Sequence, residues 1–303
     1  MDTTLFEFLK NVVPEGQCKT DEPMAAHTTF RVGGPASFFI DIKREDEIRK
    51  ILTYLKKTER PYYIVGNGSN LLVGDKGYDG CILHLGKQFS EVKVEGTKVT
   101  AQAGALLSTV ARQAASAGLT GMEFAAGIPG SIGGAIVMNA GAYDGEMKQI
   151  VESVTVLNED GELMEIDVDS MEFGYRTSAI KNRKFVVVST TLKLAEGNVS
   201  EINAKIDELA KKRKEKQPLE YPSAGSTFKR PKGYFAGKLI MDAGLRGFRI
   251  GGAQVSEKHC GFVVNIGNAT AADVREVMDE VTERVKKQFH VTLEPEVIFL
   301  GDF

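Results

Sequence analysis

Hydrophobic spacing divides the chain into short alternating segments of helix and strand. A short amphipathic helix opens it, and the residues that follow, up to Pro23, read as a polar link. His27 to Gly34 then leads into a strand over Ser37 to Ile42. From Glu45 to Arg60, Ile48, Ile51, Leu52 and Leu55 recur at i, i+3, i+4 and i+7, which predicts a helix stopped by Pro61. Tyr62 to Val65 is expected as a buried strand ahead of a glycine loop and the apolar Leu71-Leu-Val73, and Cys81 to Leu85 as a further strand. Val92, Val94, Val99, Ala101 and Ala103 alternate around a turn at Gly96, and Leu106 to Ala117 reads as a helix ended by Gly118. Val151 to Leu157 and Leu163 to Ile166 flank the turn at Asn158 to Gly161 as a hairpin, and Phe185 to Leu194 is rich in sheet-forming Val and Thr. Many strands with few helices between them indicate an α+β protein, not a doubly wound parallel sheet.

The pattern shifts at Glu196. Ile202, Ile206 and Leu209 mark a helix ending in the basic run Lys211 to Lys216, where cations suit the C-terminal dipole of a solvated helix end. Past Pro218 and Pro222 come a short helix at Ala236 to Ala243, a Gly251-Gly252 turn and a strand at Phe262 to Ile266. A strong helix carries Val274, Val277, Met278, Val281 and Val285 on one face, and the last strand is Glu296 to Leu300. The expected division is a domain over 1–195, with subdomains of about 1–66 and 67–195, and a smaller α+β domain over 196–303.

A length of 303 residues suits two domains, and 42 % hydrophobic with 26 % charged residues is the composition of an ordinary globular protein. The net charge of −3, without a long basic run, speaks against nucleic acid as a partner. The start, MDTTLFEFLK, lacks the regions of a signal peptide, and no apolar run reaches about 18 residues. A cytoplasmic protein without a membrane span is therefore expected. Cys18, Cys81 and Cys260 lie far apart, as do His27, His84, His259 and His290, so neither a disulfide framework nor a metal site is expected.

The densest chemical signal is the stretch from Gly121 to Glu146, with Gly121, Gly127, Gly130, Gly133, Gly134, Gly141 and Gly145 around Pro129. Glycine in an element interior costs about 0.5–1 kcal/mol relative to alanine, so such density needs a reason. Consecutive N–H groups without Cβ atoms form a concave nest for anions, and a helix opening at Ser131 or Gly133 would strengthen it. A crowded loop packed on its own domain is the plainer alternative. A second loop, Gly66-Asn-Gly-Ser-Asn70, has Leu71 where a dinucleotide fingerprint needs its third glycine, and no strong helix follows. Gly80 to Lys87 fails as a phosphate loop through its spacing and through Gln88. Alone, the Asn67-Gly68 pair reads as a tight turn.

Taken together, Thr29 to Gly34, Gly66 to Leu72, Ala126 to Gly134, Met138 to Tyr143, Tyr175-Arg176, Ala224 to Pro231 and Leu293 to Glu296 resemble the UDP-N-acetylenolpyruvoylglucosamine reductase (UDP-N-acetylmuramate dehydrogenase) family. The likeness runs from about residue 20 to the C-terminus. It implies an FAD-binding fold of the vanillyl-alcohol-oxidase (PCMH) type in two subdomains, with a separate α+β substrate-binding domain. It also implies non-covalent FAD, NADPH as co-substrate, and reduction of UDP-N-acetylglucosamine enolpyruvate to UDP-N-acetylmuramate for peptidoglycan. A monomer is expected, and no tyrosine-bearing insertion stands between Arg176 and Lys193, so the chain looks like the shorter, second type of the family.

The resemblance assigns Gly66, Asn67, Gly68, Ser69 and Asn70 to the cofactor, with Gly127, Ile128, Pro129, Gly130, Ser131, Gly133 and Gly134. It assigns Arg176, Ser226 and Glu296 to catalysis and Tyr175, Lys216, Lys229 and Arg230 to substrate. Arg230 stands where the family's best-known pattern has asparagine. Without the family, Arg176 reads as an ion-pair partner, Ser226 as a cap or turn serine, and Glu296 as a strand-end carboxylate paired with a lysine. Another FAD enzyme of the same fold, such as an oxidase of small alcohols, or a nucleotide-binding module without catalysis would share the glycine loops but need not share this trio.

Overall fold

A computed structural model describes residues 3–303, so Met1 and Asp2, at the head of the expected first helix, lie outside it. The chain forms two compact units. The first comprises residues 1–20, 38–67 and 80–213, and the second comprises 21–37, 68–79 and 214–303. This differs from the expected division at residue 195. The long helix after Glu196 stays with the first unit as far as Arg213, and two N-terminal segments complete the second. The reason is burial: Phe30, Val32 and Leu72 have no exposed surface or almost none, and they pack with Val263, Val274 and Leu293 of the C-terminal region.

In the first unit, helices α1 (Thr3–Val12) and α2 (Glu45–Lys57) contribute Leu5, Leu9, Ile48, Ile51, Leu52 and Leu55 to one core. Helix α2 opens with Glu45, Asp46 and Glu47 and closes with Lys56 and Lys57, charges that oppose its dipole at both ends. Glu47 is fully buried, but its Oε2 accepts from the N–H groups of Lys43 and Arg44 (2.9 and 3.2 Å). Such bonds offset part of the cost of burying a polar side chain. A four-stranded sheet orders Cys18–Pro23, Pro35–Asp41, Tyr78–His84 and Tyr62–Val65. The first of these corrects the expected polar link. Cys18–Pro23 is an edge strand whose residues alternate between half-buried and exposed, so no hydrophobic repeat betrays it. Tyr62–Val65 is less covered than expected, with only Val65 buried.

A five-stranded antiparallel sheet orders Leu163–Asp167, Val151–Leu157, Val186–Lys193, Lys98–Gln102 and Val92–Glu95. Helix α3 (Leu107–Ser116) buries the expected alanine-rich face, with Ala111, Ala114 and Ala115 inside. Helices α4 (Ile132–Met138) and α5 (Ala179–Arg183) are short, and α6 (Val199–Lys216) is long.

The second unit combines helix α7 (Ala236–Asp242) and helix α8 (Ala271–Phe289) with the antiparallel strands Arg249–Ile250, Ala253–Val255 and Val263–Asn265. The first two strands flank the expected Gly251-Gly252 turn. Leu71–Val73 pairs in parallel with Ile298–Leu300. Helix α8 begins with a reciprocal cap between Thr270 and Asp273, and the two Asp75 carboxylate oxygens accept from the N–H groups of Ala271 and Ala272, each at 2.8 Å. Asp75 thus satisfies two donors that the helix leaves open and ties segment 68–79 to α8. The Asp75→Ala substitution is expected to cost about 1–2 kcal/mol, as loss of a helix cap does. It should appear as a lower urea midpoint at unchanged m-value, and an unmoved midpoint would refute it.

Candidate active site

The glycine stretch folds back on the strand end and helix start that precede it. Gly133 N–H donates to Ala103 O and Ile132 N–H to Ala105 O, each at 2.8 Å, while Leu107 N–H donates to Gly130 O at 3.0 Å. A Cβ on Gly133 would lie 2.9 Å from Ala103 Cβ, so packing within its own domain already requires this glycine. The plainer alternative raised for the glycine stretch therefore holds at this position. Ser131 caps α4 and is 3 % exposed, with Oγ accepting from Gly134 N–H at 3.5 Å.

The second glycine loop meets the first. Asn67 Nδ2 donates to Pro129 O at 2.6 Å, and a Cβ on Gly66 would sit 2.1 Å from Ser131 Oγ. Gly68 takes a left-handed φ of 58°. Among the described residues, the backbone N–H groups of Asn67 and Gly130 meet no acceptor. Open donors on a glycine-lined surface fit a diphosphate, and the residues present therefore suit FAD.

One cation among the basic residues of the helix end differs from its neighbours. Arg213 is half-buried, and its side chain lies against Gly127, where a Cβ would be 3.3 Å from Arg213 Cδ. Burial lowers its pKa, opposed by the charge of Tyr143, and no carboxylate pairs with it among the described residues. A partly desolvated guanidinium without a carboxylate beside it is a place for an anion. Ile202, Ile206, Leu209 and Arg213 form one helical stripe, and that spacing was the available signal.

Tyr175 and Arg176 occupy a tight turn. Gly174 and Thr177 exchange two backbone hydrogen bonds across it (3.1 and 3.4 Å), and Arg176 takes φ 56°. The Arg176 guanidinium stacks over the Tyr175 ring at 5.3 Å, and Tyr175 is exposed.

The second unit brings Ser226 and Glu296 onto neighbouring segments. Glu296 N–H donates to Thr227 O at 2.9 Å, and Phe228 bridges Pro295. Thr227 has no exposed surface and accepts from Val263 N–H through Oγ1, whereas Ser226 beside it is exposed. Asn70 donates Nδ2 to Glu296 O at 3.0 Å and accepts from Ile298 N–H at 3.0 Å. Its side chain therefore secures the Glu296 segment, whereas the motif had suggested a cofactor contact. Lys229, expected at a phosphate, pairs with Glu294 at 3.2 Å. Arg230 stacks on Phe235 at 4.0 Å and donates from Nε to Tyr234 O at 3.4 Å. Lys216 is exposed at the end of α6. Among the described residues, no cluster of His, Cys, Asp or Glu could hold a metal, and no helix is long and apolar enough to cross a membrane.

This fold and site define a flavin-dependent oxidoreductase with the vanillyl-alcohol-oxidase type of FAD-binding fold, and the comparisons agree. Residues 36–167 match a family described as "FAD binding domain", and residues 217–300 match "UDP-N-acetylenolpyruvoylglucosamine reductase, C-terminal domain". The UDP-N-acetylenolpyruvoylglucosamine reductase of Agathobacter rectalis is 50 % identical over the whole of both chains. That of Caldanaerobacter subterraneus subsp. tengcongensis is 49 % identical, again over the whole of both. The crystal structure of UDP-N-acetylenolpyruvylglucosamine reductase from Thermus caldophilus superposes with a TM-score of 0.80 at 37 % identity, covering 92 % of this chain and 97 % of that one. A variant of Phl p 4, a glucose oxidase, shares the fold alone, with a TM-score of 0.52 at 15 % identity over 64 % of this chain and 44 % of its own. The chain belongs to the UDP-N-acetylenolpyruvoylglucosamine reductase family.

Gly66→Ala should push Ser131 Oγ aside and part the two loops. FAD affinity, measured by titrating apoprotein and following flavin fluorescence, is expected to fall about tenfold or more, a change of about 1.4 kcal/mol. Arg213→Ala should weaken FAD binding and also flatten its dependence on salt, because a charge contact is removed. Wild-type affinity in both variants would place the cradle elsewhere.

Proposed function

We propose that the chain catalyses the NADPH-dependent reduction of UDP-N-acetylglucosamine enolpyruvate to UDP-N-acetylmuramate, using non-covalent FAD, in cytoplasmic synthesis of peptidoglycan precursors. The observation that carries this reading is the pairing of the Ser226 and Glu296 segments through Thr227 O, with Asn70 fixing the second of them. A bare nucleotide-binding module has no need of a serine and a carboxylate held this way.

FAD, which the loops around Asn67 and Gly130 would hold, would supply hydride chemistry between the reduced nicotinamide and the enolpyruvyl carbon. Negative charge then builds toward the substrate carboxylate. The Arg176 guanidinium, a planar fork suited to a carboxylate, binds and stabilises it there. The exposed Ser226 hydroxyl gives its proton to the adjacent carbon. A hydroxyl is a weak acid, so this transfer depends on a basic carbanion and on close placement. Glu296, half-buried on its fixed segment, holds and polarises the same species. For the UDP diphosphate, Lys216 makes no ion pair among the described residues and is the readier cation, whereas Lys229 must first leave Glu294. Tyr175 and Arg230 complete the substrate contacts in this reading.

Stopped-flow absorbance of the flavin separates the two halves of the reaction. Ser226→Ala should be reduced by NADPH at nearly the wild-type rate. Its reoxidation by the enolpyruvyl substrate should slow by about 10²–10⁴-fold, the usual worth of a positioned acid, and Ser226→Cys should recover part of the loss. Equal slowing of both halves would remove Ser226 from the proton step. NADPH oxidation indifferent to UDP-N-acetylglucosamine enolpyruvate would overturn the function itself.

A further inference from the structure

Asn139 ends α4, and none of the chemistry above uses it. It is 2 % exposed and takes a left-handed φ of 43°. Its amide is fully engaged. Nδ2 donates to Gly174 O and to Glu146 Oε2, each at 3.1 Å, and Oδ1 accepts from Lys148 N–H at 3.0 Å. The first of these bonds reaches the turn that carries Tyr175 and Arg176. On the other side of that turn Ser178, 1 % exposed, donates from Oγ to Val137 O at 3.0 Å. Both ends of the turn are thus fastened around the C-terminus of α4, whose first residues are held to Ala103 and Ala105.

Arg176 is itself left-handed, a conformation that a residue with a Cβ keeps only where the surroundings over-determine it. The bonds from Asn139 and Ser178 add to the Gly174–Thr177 pair across the turn in holding it so. We propose that Asn139 is a positioning residue for Arg176: it fixes the turn so that the guanidinium stands ready for the carboxylate of the substrate. This rests on the role given to Arg176 under the proposed function. It further means that α4 serves two tasks, one at each end, and that the cofactor loop and the substrate cation share one rigid support.

The test is a double-mutant cycle on FAD-loaded enzyme, read by stopped-flow in each half-reaction. Asn139→Gly removes the amide while glycine tolerates the left-handed backbone, so side-chain loss is separated from strain. Reduction by NADPH should stay within about twofold of wild type, whereas reoxidation by the enolpyruvyl substrate should slow about tenfold or more with a raised KM, as expected when a placed cation is loosened. In an Arg176→Ala background the same substitution should cost nothing further, because its effect passes through Arg176. A second variant, Asn139→Asp with Glu146→Gln, exchanges donor and acceptor between those two side chains, keeps the bond from Lys148 N–H, and turns the bond to Gly174 O into an opposition of two acceptors. It should give the same selective pattern, and it carries the test if Asn139→Gly fails to hold FAD. Equal losses with and without Arg176, in either variant, would reduce Asn139 to a purely structural residue and overturn the inference. If Arg176→Ala alone leaves reoxidation unchanged, the proposed role of Arg176 falls, and the inference falls with it.

Discussion

The closeness of Gly133 to Ala103 is the constraint on which the first unit depends. Two backbone hydrogen bonds of 2.8 Å, from Ile132 and Gly133, leave no room for a side chain at that point. They lock the start of α4 to the end of a central strand of the five-stranded sheet, and the Leu107 bond to Gly130 adds the start of α3. With α4 fixed, Ser131 can cap it and face Gly66, and Asn67 can reach Pro129. The open N–H groups of the two loops then stand on a rigid base, so an anion can be bound without the loops first having to be ordered, which removes a cost of binding.

Three motif asparagines do similar work in different places. Asn67 donates to Pro129 O, Asn70 to Glu296 O, and Asn139 to Gly174 O. Each carries a planar amide on a short stem; Asn67 and Asn139 bridge loops that share no strand ladder, and Asn70 extends the ladder of Leu71–Val73 with Ile298–Leu300. Hydrogen bonds of this kind contribute about 0.5–1.5 kcal/mol each, and a buried carbonyl left without one costs more. The motifs that look like ligand contacts are in good part the stitching that lets neighbouring residues make those contacts.

The sequence revealed some of this and hid the rest for physical reasons. Helices α2 and α8 were legible because their buried residues repeat at the helical period and their ends carry matching charges or caps. The glycine loops were legible by their density, yet Gly133 owes its identity to Ala103, a contact between positions thirty residues apart that no local pattern carries. Cys18–Pro23 was hidden because a polar edge strand has no apolar face to repeat. Arg213 was hidden by the company of Lys211, Lys212 and Lys214, which the solvent takes, while the helix turns Arg213 inward on the Leu209 face. The segments around Phe30 and Leu72 were assigned by chain order, and burial assigns them otherwise.

That last feature bears on how the protein is made. Chains emerge from the ribosome N-terminus first, and domains tend to fold as their residues become available. The second unit draws Phe30, Val32 and Leu72 into a core otherwise built from Ala224 to Val297. Those early residues, among the first third of the chain to appear, have no finished core to enter until nearly the whole sequence has been synthesised. Contacts so distant in sequence also slow folding, since a long loop must close before they form. The first unit lacks its segment 80–213 for less of that time, so the order of assembly is written into the interleaving: the cofactor-binding unit can close while the unit bearing Ser226 and Glu296 is still waiting for its C-terminus.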